Sequence, residues 1–210
     1  MKTRKLSPFI EEYPSYSLKS NNNSYYFALS LDKSSINKKT KLGVAREVFY
    51  RRGKPWKKGF LDKSKLIIVS SNDLIYWKKE CDLEINGITQ LIKEYSDLNR
   101  EFIGLEDPDI INYEKNKYLY FTLAYKKRKL DGFFLYLCCA SGPRLNALSF
   151  PRVVLSPNSK FDGFKESCID IKNKIAFNET ILKERNTSVS CISLSQISLK
   201  LINGINQRLF

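Results

Sequence analysis

The sequence contains no histidine among its 210 residues. This absence excludes Ser-His-Asp and Cys-His catalysis, and it removes the usual ligands of zinc and haem. The five cysteines lack CxxC spacing and lie mostly in apolar, strand-like runs, so we interpret them as reduced thiols in the core of a cytoplasmic protein. Any catalysis must use carboxylates, Tyr, Lys, Arg or Cys, and the residues imply neither a metal ion nor another cofactor.

The sequence also lacks a long apolar run. No stretch approaches the roughly 18 apolar residues that a membrane span requires. The basic start, MKTRKLSPFIEEYP, reaches acidic residues and prolines before any apolar run long enough for a secretion signal. We therefore expect a cytoplasmic location and no membrane partner.

Acidic residues are few relative to basic ones: 22 Asp plus Glu stand against 36 Lys plus Arg, which gives a formal net charge of +14. Such an excess is typical of proteins that bind nucleic acid or anionic surfaces. The lysines, however, are scattered through turns such as 37–41 and 126–129 and do not line one face. A basic nucleic-acid-binding β protein is therefore the weakest of the functional alternatives.

Short β-branched and aromatic runs, separated by Asn, Lys, Asp and Gly, dominate the middle of the chain. These runs predict strands at 66–70, 118–125, 133–140 and 189–194. One helix is predicted at 87–98, in a connection. The sequence therefore predicts an all-β protein with many hairpins, arranged as a single domain over residues 1–210.

The chain also repeats itself. Pro14 and Pro108 each precede a similar apolar run, YFAL and YFTL, by twelve residues, and the segment after Glu166 aligns with the segment after Asp107. The buried strand 66–71 corresponds to 135–141, since both end in serine. We predict three units, the first enlarged by a loop at about 32–65, beginning near Glu12, Asp107 and Glu166.

The motif EDPDI is followed by YLYFTLAY and then by a strand that ends in serine, and SSNDLIYWKK occurs earlier in the chain. Together they resemble the five-bladed β-propellers of glycoside hydrolase families 32, 43 and 130, over roughly residues 8–194. In those families the first strand of a blade presents an acidic residue to a central funnel, and the third ends in serine before Asp-Leu-x-x-Trp. The resemblance implies a propeller fold and a glycosidase-like or mannoside phosphorylase-like function on oligosaccharides.

The resemblance also implies roles for three carboxylates. Cleavage of a glycosidic bond needs one carboxylic acid that protonates the leaving oxygen. A second carboxylate acts as base or nucleophile, and phosphate replaces it in an inverting phosphorylase. Asp107 would be the general acid or its sugar-binding partner, and Glu166 the acid of the third blade. Glu12 stands beside the first-blade position, where Tyr13 aligns with Asp107. The alternatives without chemistry are an Asp-Pro-Asp turn and solvated glutamates.

The remaining candidate substrate ligands lie near these motifs: Glu106, Asp109, Arg51, Arg52 and Trp56. Family 130 usually has an arginine where Asp109 stands, so this residue weakens the case for phosphate. The Arg51–Arg52 pair suits bidentate contacts to phosphate or sugar hydroxyls, or else belongs to a solvated loop. Trp56 is the better candidate for stacking on a sugar, because Trp77 is assigned to the core.

The chain supplies about three of the five blades. We therefore expect a truncated or decayed relative, blades supplied by another chain in an oligomer, or a fold that departs from the family. The leading hypothesis is a protein that acts on or binds glycosidic bonds of oligosaccharides by carboxylate acid/base chemistry. The alternative is a catalytically inactive carbohydrate-binding or structural propeller fragment.

Overall fold

Twelve strands and one α-helix make up the described part of the chain, which confirms the predicted all-β class. The computed structural model describes residues 24–54, 57, 59–128, 132–170, 175–182 and 187–193, the last range as backbone only. The strands are β1 (Tyr25–Leu31), β2 (Lys41–Arg52), β3 (Leu61–Ser71), β4 (Lys78–Asp82), β5 (Ile85–Asn86), β6 (Arg100–Tyr113), β7 (Asn116–Lys127), β8 (Phe133–Gly142), β9 (Leu148–Leu155), β10 (Phe161–Asp170), β11 (Ile175–Leu182) and β12 (Thr187–Ser193).

The helix, α1 (Ile88–Tyr95), lies inside the predicted interval 87–98 and connects β5 to β6. It buries Leu91 and packs against β9. Among the residues that the structure describes, no helix is long and apolar enough to cross a membrane.

The strands form three consecutive antiparallel units. Unit 1 comprises β1 to β4 and unit 2 comprises β6 to β9, and in each unit strands that follow one another in sequence pair side by side. The described part of unit 3 comprises β10 to β12, which pair in the same way. Such four-stranded meanders are the blades of a β-propeller.

The backbones of adjacent units pair at one short parallel contact each. Gly104 of β6 pairs with Ser64 of β3, and Gly163 of β10 pairs with Leu135 of β8. A Cβ atom on Gly104 would lie 2.3 Å from the carbonyl oxygen of Ser64, and one on Gly163 would lie 2.4 Å from Leu135 Cβ. Glycine is required at both positions because the first strand of one unit lies directly on the third strand of the preceding unit.

The main hydrophobic core lies between units 1 and 2. It joins Val44 and Leu66 of unit 1 to Leu119 and Phe121 of unit 2. The strands predicted at 66–70, 118–125 and 133–140 contribute buried apolar residues to the core, among them Ile67, Val69, Phe121, Leu123, Leu135 and Leu137. Trp77 packs against the β3 side chains in a separate cluster, which confirms its assignment to the core.

The predicted register of unit 1 is wrong by one strand. β1 pairs with β2 and carries a bulge after Phe27, as β6 pairs with β7 and carries a bulge after Glu106. The run 26–29 is therefore the counterpart of the first strand of unit 2, and the interval 32–65, predicted as a loop, contains β2. Apolar runs recur in the first three strands of units 1 and 2, so a shift by one strand preserves the hydrophobic pattern. Pro14, which gave the predicted register, lies outside the described residues.

The expectation of core thiols holds for half of the cysteines whose side chains are described. Cys138 and Cys139 of β8 are buried, whereas Cys81 of β4 and Cys168 of β10 are exposed, and all four are free thiols. Cys81 lies on the outer strand of unit 1 and Cys168 directly after a bulge, and both places turn a strand residue toward solvent. The side chain of Cys191 lies outside the described part.

Phe121 provides a direct test of this core. Replacement by Ala removes a ring that is fully buried between units 1 and 2, and we expect a loss of about 3–5 kcal/mol in the free energy of unfolding. Urea denaturation measures this loss. Phe150→Ala is the matched control, because Phe150 is 80% exposed on β9, and its effect should stay within about 0.5 kcal/mol. Equal effects of the two substitutions would contradict the assignment of β7 to the core.

Candidate functional site

The first strands of the three units, β1, β6 and β10, lie side by side, because β6 packs against both of the others. We call them the inner strands. The Asp109 carboxylate on β6 accepts a hydrogen bond from the Ser30 hydroxyl on β1 at 3.4 Å and another from the backbone N–H of Ile169 on β10. The Ser30 oxygen also accepts one from the N–H of Ile110 at 2.8 Å. Asp109, a predicted sugar ligand, therefore connects all three inner strands.

Each inner strand carries a bulge at an equivalent point, where one residue has a left-handed backbone. The three residues are Ala28, Asp107 and Glu166, with φ of 47°, 47° and 50°. The strand pairing shifts register beside each of them. A bulge re-aims the side chain that it carries, so the structure places Asp107 and Glu166 at matching positions on adjacent strands.

The left-handed backbone is a source of strain at this site. It costs a residue with a side chain roughly 1–2 kcal/mol, although Asp and Asn tolerate it better than other residues do. Strain of this kind clusters at functional sites, where the surrounding structure holds it in place. Its repetition at one point of three units indicates that the bulge, and not the local sequence, sets the backbone there.

Arg46 of β2 reaches across the boundary between units 1 and 2. Its Nη2 lies 2.6 Å from Oε1 of Glu106, and its Nη1 lies 3.5 Å from Oδ1 of Asp107. The Ser64 hydroxyl donates to the same Glu106 oxygen at 3.3 Å. Two successive carboxyl groups are thus buried beside one guanidinium, which compensates for part of the cost of removing them from water.

Burial raises the pKa of Glu106 to about 7, and the neighbouring Asp107 carboxylate adds to this shift. The Arg46 guanidinium opposes the shift but does not cancel it. Glu106 therefore holds its proton on a large fraction of molecules near neutral pH. A carboxyl group that titrates near neutrality suits proton transfer, and such groups cluster at functional sites.

Burial also raises the pKa of Asp107 above its ordinary range, although Arg46 and Lys165 oppose the shift. One of its oxygens, Oδ2, is buried without a hydrogen-bond partner in the described structure, as are Nε of Arg46 and Oγ1 of Thr122. Buried polar atoms are rarely left unpaired, because each unmade hydrogen bond costs free energy. The hydroxyl groups of a bound ligand are of the right chemistry to pair with these atoms.

Glu166 has a different environment, since 57% of its side chain is exposed. It lies 3.3 Å from Nζ of Lys165, which also lies 3.2 Å from Glu179. Burial opposes the charged form of Lys165, but the adjacent carboxylates, foremost Glu166, hold the pKa of this lysine above its ordinary value. The site thus combines a buried carboxyl group, Asp107, with a solvated carboxylate. Contrasting environments of this kind suit two carboxyl groups to different roles in catalysis.

The other predicted site residues lie elsewhere. Arg51 is bound by Asp62 through two hydrogen bonds of 2.8 and 2.7 Å, so its guanidinium fork is already occupied. Arg52 is exposed at the end of β2. Glu12 and Trp56 lie outside the described residues.

Sequence reasoning missed Arg46, Lys165 and Ala28 as parts of this site. Arg46 had a detectable signal, because it lies between the apolar segments LGVA and VF of one strand. A cation buried in such a strand needs a charged or polar partner. Lys165 had no signal beyond its position next to Glu166. Ala28 had none, because neither the left-handed backbone nor the bulge shows in the sequence.

No protein-family model matches this sequence, and no curated protein matches it. Solved structures do match its fold. A glycoside hydrolase aligns with a TM-score of 0.50 and 11% identity, over 80% of this chain and 46% of that one. A family 117 glycoside hydrolase from the marine bacterium Zobellia galactanivorans aligns with 0.48 and 10%, over 79% and 49%. An α-L-arabinanase mutant from Cellvibrio cellulosa aligns with 0.47 and 10%, over 80% and 73%.

The match establishes the fold and no more, because identity is about a tenth. The protein has the β-propeller fold of the glycosidase type, as the sequence resemblance predicted. Its described strands form an open arc of blades, and the aligned part of the chain covers a little under half of each of the first two structures.

Glu106 gives the site a pH signature. The folded protein keeps the Glu106 proton up to about pH 7, whereas the unfolded chain releases it near pH 4.5, so stability should fall as pH rises between these values. The loss is up to about 3 kcal/mol, which corresponds to the pKa shift. We expect Glu106→Gln to flatten this decline in urea denaturation at pH 4.5 to 7.5. The exposed Glu84→Gln controls for loss of a carboxylate, and a decline of undiminished size in Glu106→Gln would refute the assignment.

Proposed function

We propose that the inner-strand site binds a glycoside, with Asp107 as the proton donor to the glycosidic oxygen. The observation that carries this proposal is the pairing of a buried carboxyl group, Asp107, with a solvated one, Glu166, at equivalent bulges of adjacent blades. Fold alone does not define function, but a site of this chemistry on a glycosidase-type propeller points to a sugar.

Asp107 suits the donor role because burial favours its protonated form. A donor gives its proton to the leaving oxygen as the bond from that oxygen to the anomeric carbon breaks. Glu166 is the second carboxylate and can stabilise the positive charge that develops on the sugar ring. Arg46 and Lys165 hold the two carboxylates in place and are positioning residues.

The unpaired polar atoms support a ligand rich in hydroxyl groups. Oδ2 of Asp107 can accept a hydrogen bond, Nε of Arg46 can donate one, and the Thr122 hydroxyl can do either. Sugar hydroxyl groups both donate and accept, which is the chemistry that each of these buried atoms lacks. We therefore propose an oligosaccharide or simple glycoside as the ligand.

A base for hydrolysis is not evident among the described residues, because the matching position of unit 1 is Ala28. Binding with weak or absent turnover is thus the form of this function that the geometry favours. Efficient hydrolysis or phosphorolysis is the second candidate, favoured by the raised pKa of Asp107. Phosphorolysis has less support, because Arg51, one of the two arginines predicted to bind phosphate or sugar hydroxyls, is paired with Asp62.

The binding proposal predicts thermal stabilisation by sugars. A ligand that binds only the folded state raises the melting temperature, so arabino-oligosaccharides or manno-oligosaccharides should raise that of the native chain. The double variant Asp107→Ala, Glu166→Ala should lose this stabilisation. Asp82→Ala on β4 is the control, because it also removes a carboxylate and should keep the effect. Stabilisation of equal size in the double variant would refute the site.

The donor role of Asp107 has a separate test. Asp107→Asn preserves the shape of the side chain and removes the transferable proton, so any slow hydrolysis of 4-nitrophenyl glycosides by the native chain should fall at least 100-fold. Thermal stabilisation by sugar should remain. A variant that hydrolyses as fast as the native chain would show that another group is the donor, and fast hydrolysis by the native chain would favour the second candidate.

A further inference from the structure

We infer that Ala28 occupies a third carboxylate position of the inner-strand site, and that its methyl group leaves the site with a proton donor but no base. The inference rests on the proposed glycoside site. It concerns a position that neither the motifs nor the comparisons identify, and it explains why turnover is expected to be weak.

The strand pairing places Ala28 in the bulge of β1. In unit 1 the residues Phe27 and Ser30 have partners on β2, and the two residues between them form the bulge. The bulges of β6 and β10 have the same length and the same place, between Glu106 and Asp109 and between Lys165 and Cys168. By this register Ala28 is the counterpart of Asp107 and Glu166, the two carboxylates of the site.

The backbone conformation of Ala28 matches that of the two carboxylate positions. Ala28 has the same φ as Asp107, 47°, although alanine has no polar side chain that would favour a left-handed conformation. Unit 1 therefore retains the geometry that presents a side chain at this point, and only the side chain differs. Because Asp and Asn tolerate this region better than Ala does, the position accepts a carboxylate without added strain.

The neighbours of this position connect it to the site. β1 packs against β6, and Ser30, two residues after Ala28, is hydrogen-bonded to Asp109 of β6. Arg46, on the strand paired with β1, contacts Glu106 and Asp107. A carboxylate at position 28 would thus join a cluster that already contains one cation from unit 1 and carboxyl groups from unit 2.

The chemical consequence is a complete hydrolytic pair. The installed carboxylate would take one proton from a water molecule, the oxygen of that water would bond to the anomeric carbon, and the bond from that carbon to the leaving oxygen would break. Asp107 would supply the proton to the leaving oxygen. Water is the only co-reactant, and protons and charges balance.

The test compares Ala28→Asp with Ala28→Asn, which has the same shape without the charge. Two measurements are made: kcat/KM for 4-nitrophenyl α-L-arabinofuranoside and 4-nitrophenyl β-D-mannopyranoside, and the carboxyl ¹³C titration of Asp107. We expect Ala28→Asp to raise kcat/KM for at least one of the two glycosides at least tenfold over the native chain and Ala28→Asn. We also expect the Asp107 titration midpoint to rise by about 0.5–1 pH unit, because a like charge disfavours ionisation.

Phe150→Asp is the matched control, because Phe150 also has a left-handed backbone, φ 53°, but lies exposed on the outer strand β9. It should change neither measurement. An unchanged Asp107 midpoint in Ala28→Asp would overturn the positional equivalence, whether or not the native chain binds sugar. A raised midpoint without increased hydrolysis would overturn the claim that the missing base limits turnover.

Folding of the variants provides a further check that needs no sugar. Ala28→Asp and Ala28→Asn should melt at or above the temperature of the native chain, because both side chains suit the left-handed backbone. A fall of more than about 5 °C in both variants would contradict the inference, since the position would then reject the kind of side chain that Asp107 provides.

Discussion

The left-handed bulge of the inner strands is the constraint on which the candidate site depends. It turns one residue of each unit away from the regular alternation of its strand, at φ of 47° to 50°. Because the three inner strands lie side by side, one local distortion repeated three times places residues distant in sequence at matching points. The carboxylates Asp107 and Glu166 occupy matching positions for this reason, and not because of their immediate neighbours in sequence.

The bulges are held in place by contacts between units. Gly104 and Gly163 allow the first strand of one unit to lie on the third strand of the preceding unit. Asp109 then connects the three inner strands by hydrogen bonds, and Arg46 crosses from unit 1 to the carboxyl groups of unit 2. The burial that raises the pKa of Glu106 is a product of this packing, so the chemistry of the site and the assembly of the blades have one physical origin.

The sequence supported the class of fold better than the details of register. The apolar runs of β7 and β8 predicted buried strands correctly, since residues 119–125 and 135–140 are buried without interruption. The motif EDPDI predicted the position of Asp107 on a first strand and the alignment of Glu166 with it. Unit 1 was misassigned by one strand because its first strand, YYFALSL, resembles a second strand in composition and has no acidic residue at its bulge.

The sequence by itself thus determined the all-β class, the core of the β strands and the likeness to glycosidase propellers, because these follow from local periodicity and short motifs. Only the tertiary structure decided that Ala28 stands where the other units carry carboxylates. It also decided that Arg46 connects two units and that Arg51 forms an ion pair with Asp62. These facts depend on contacts between residues distant in sequence and on backbone angles. Neither is encoded in a local pattern, so both emerge only when the units pack together.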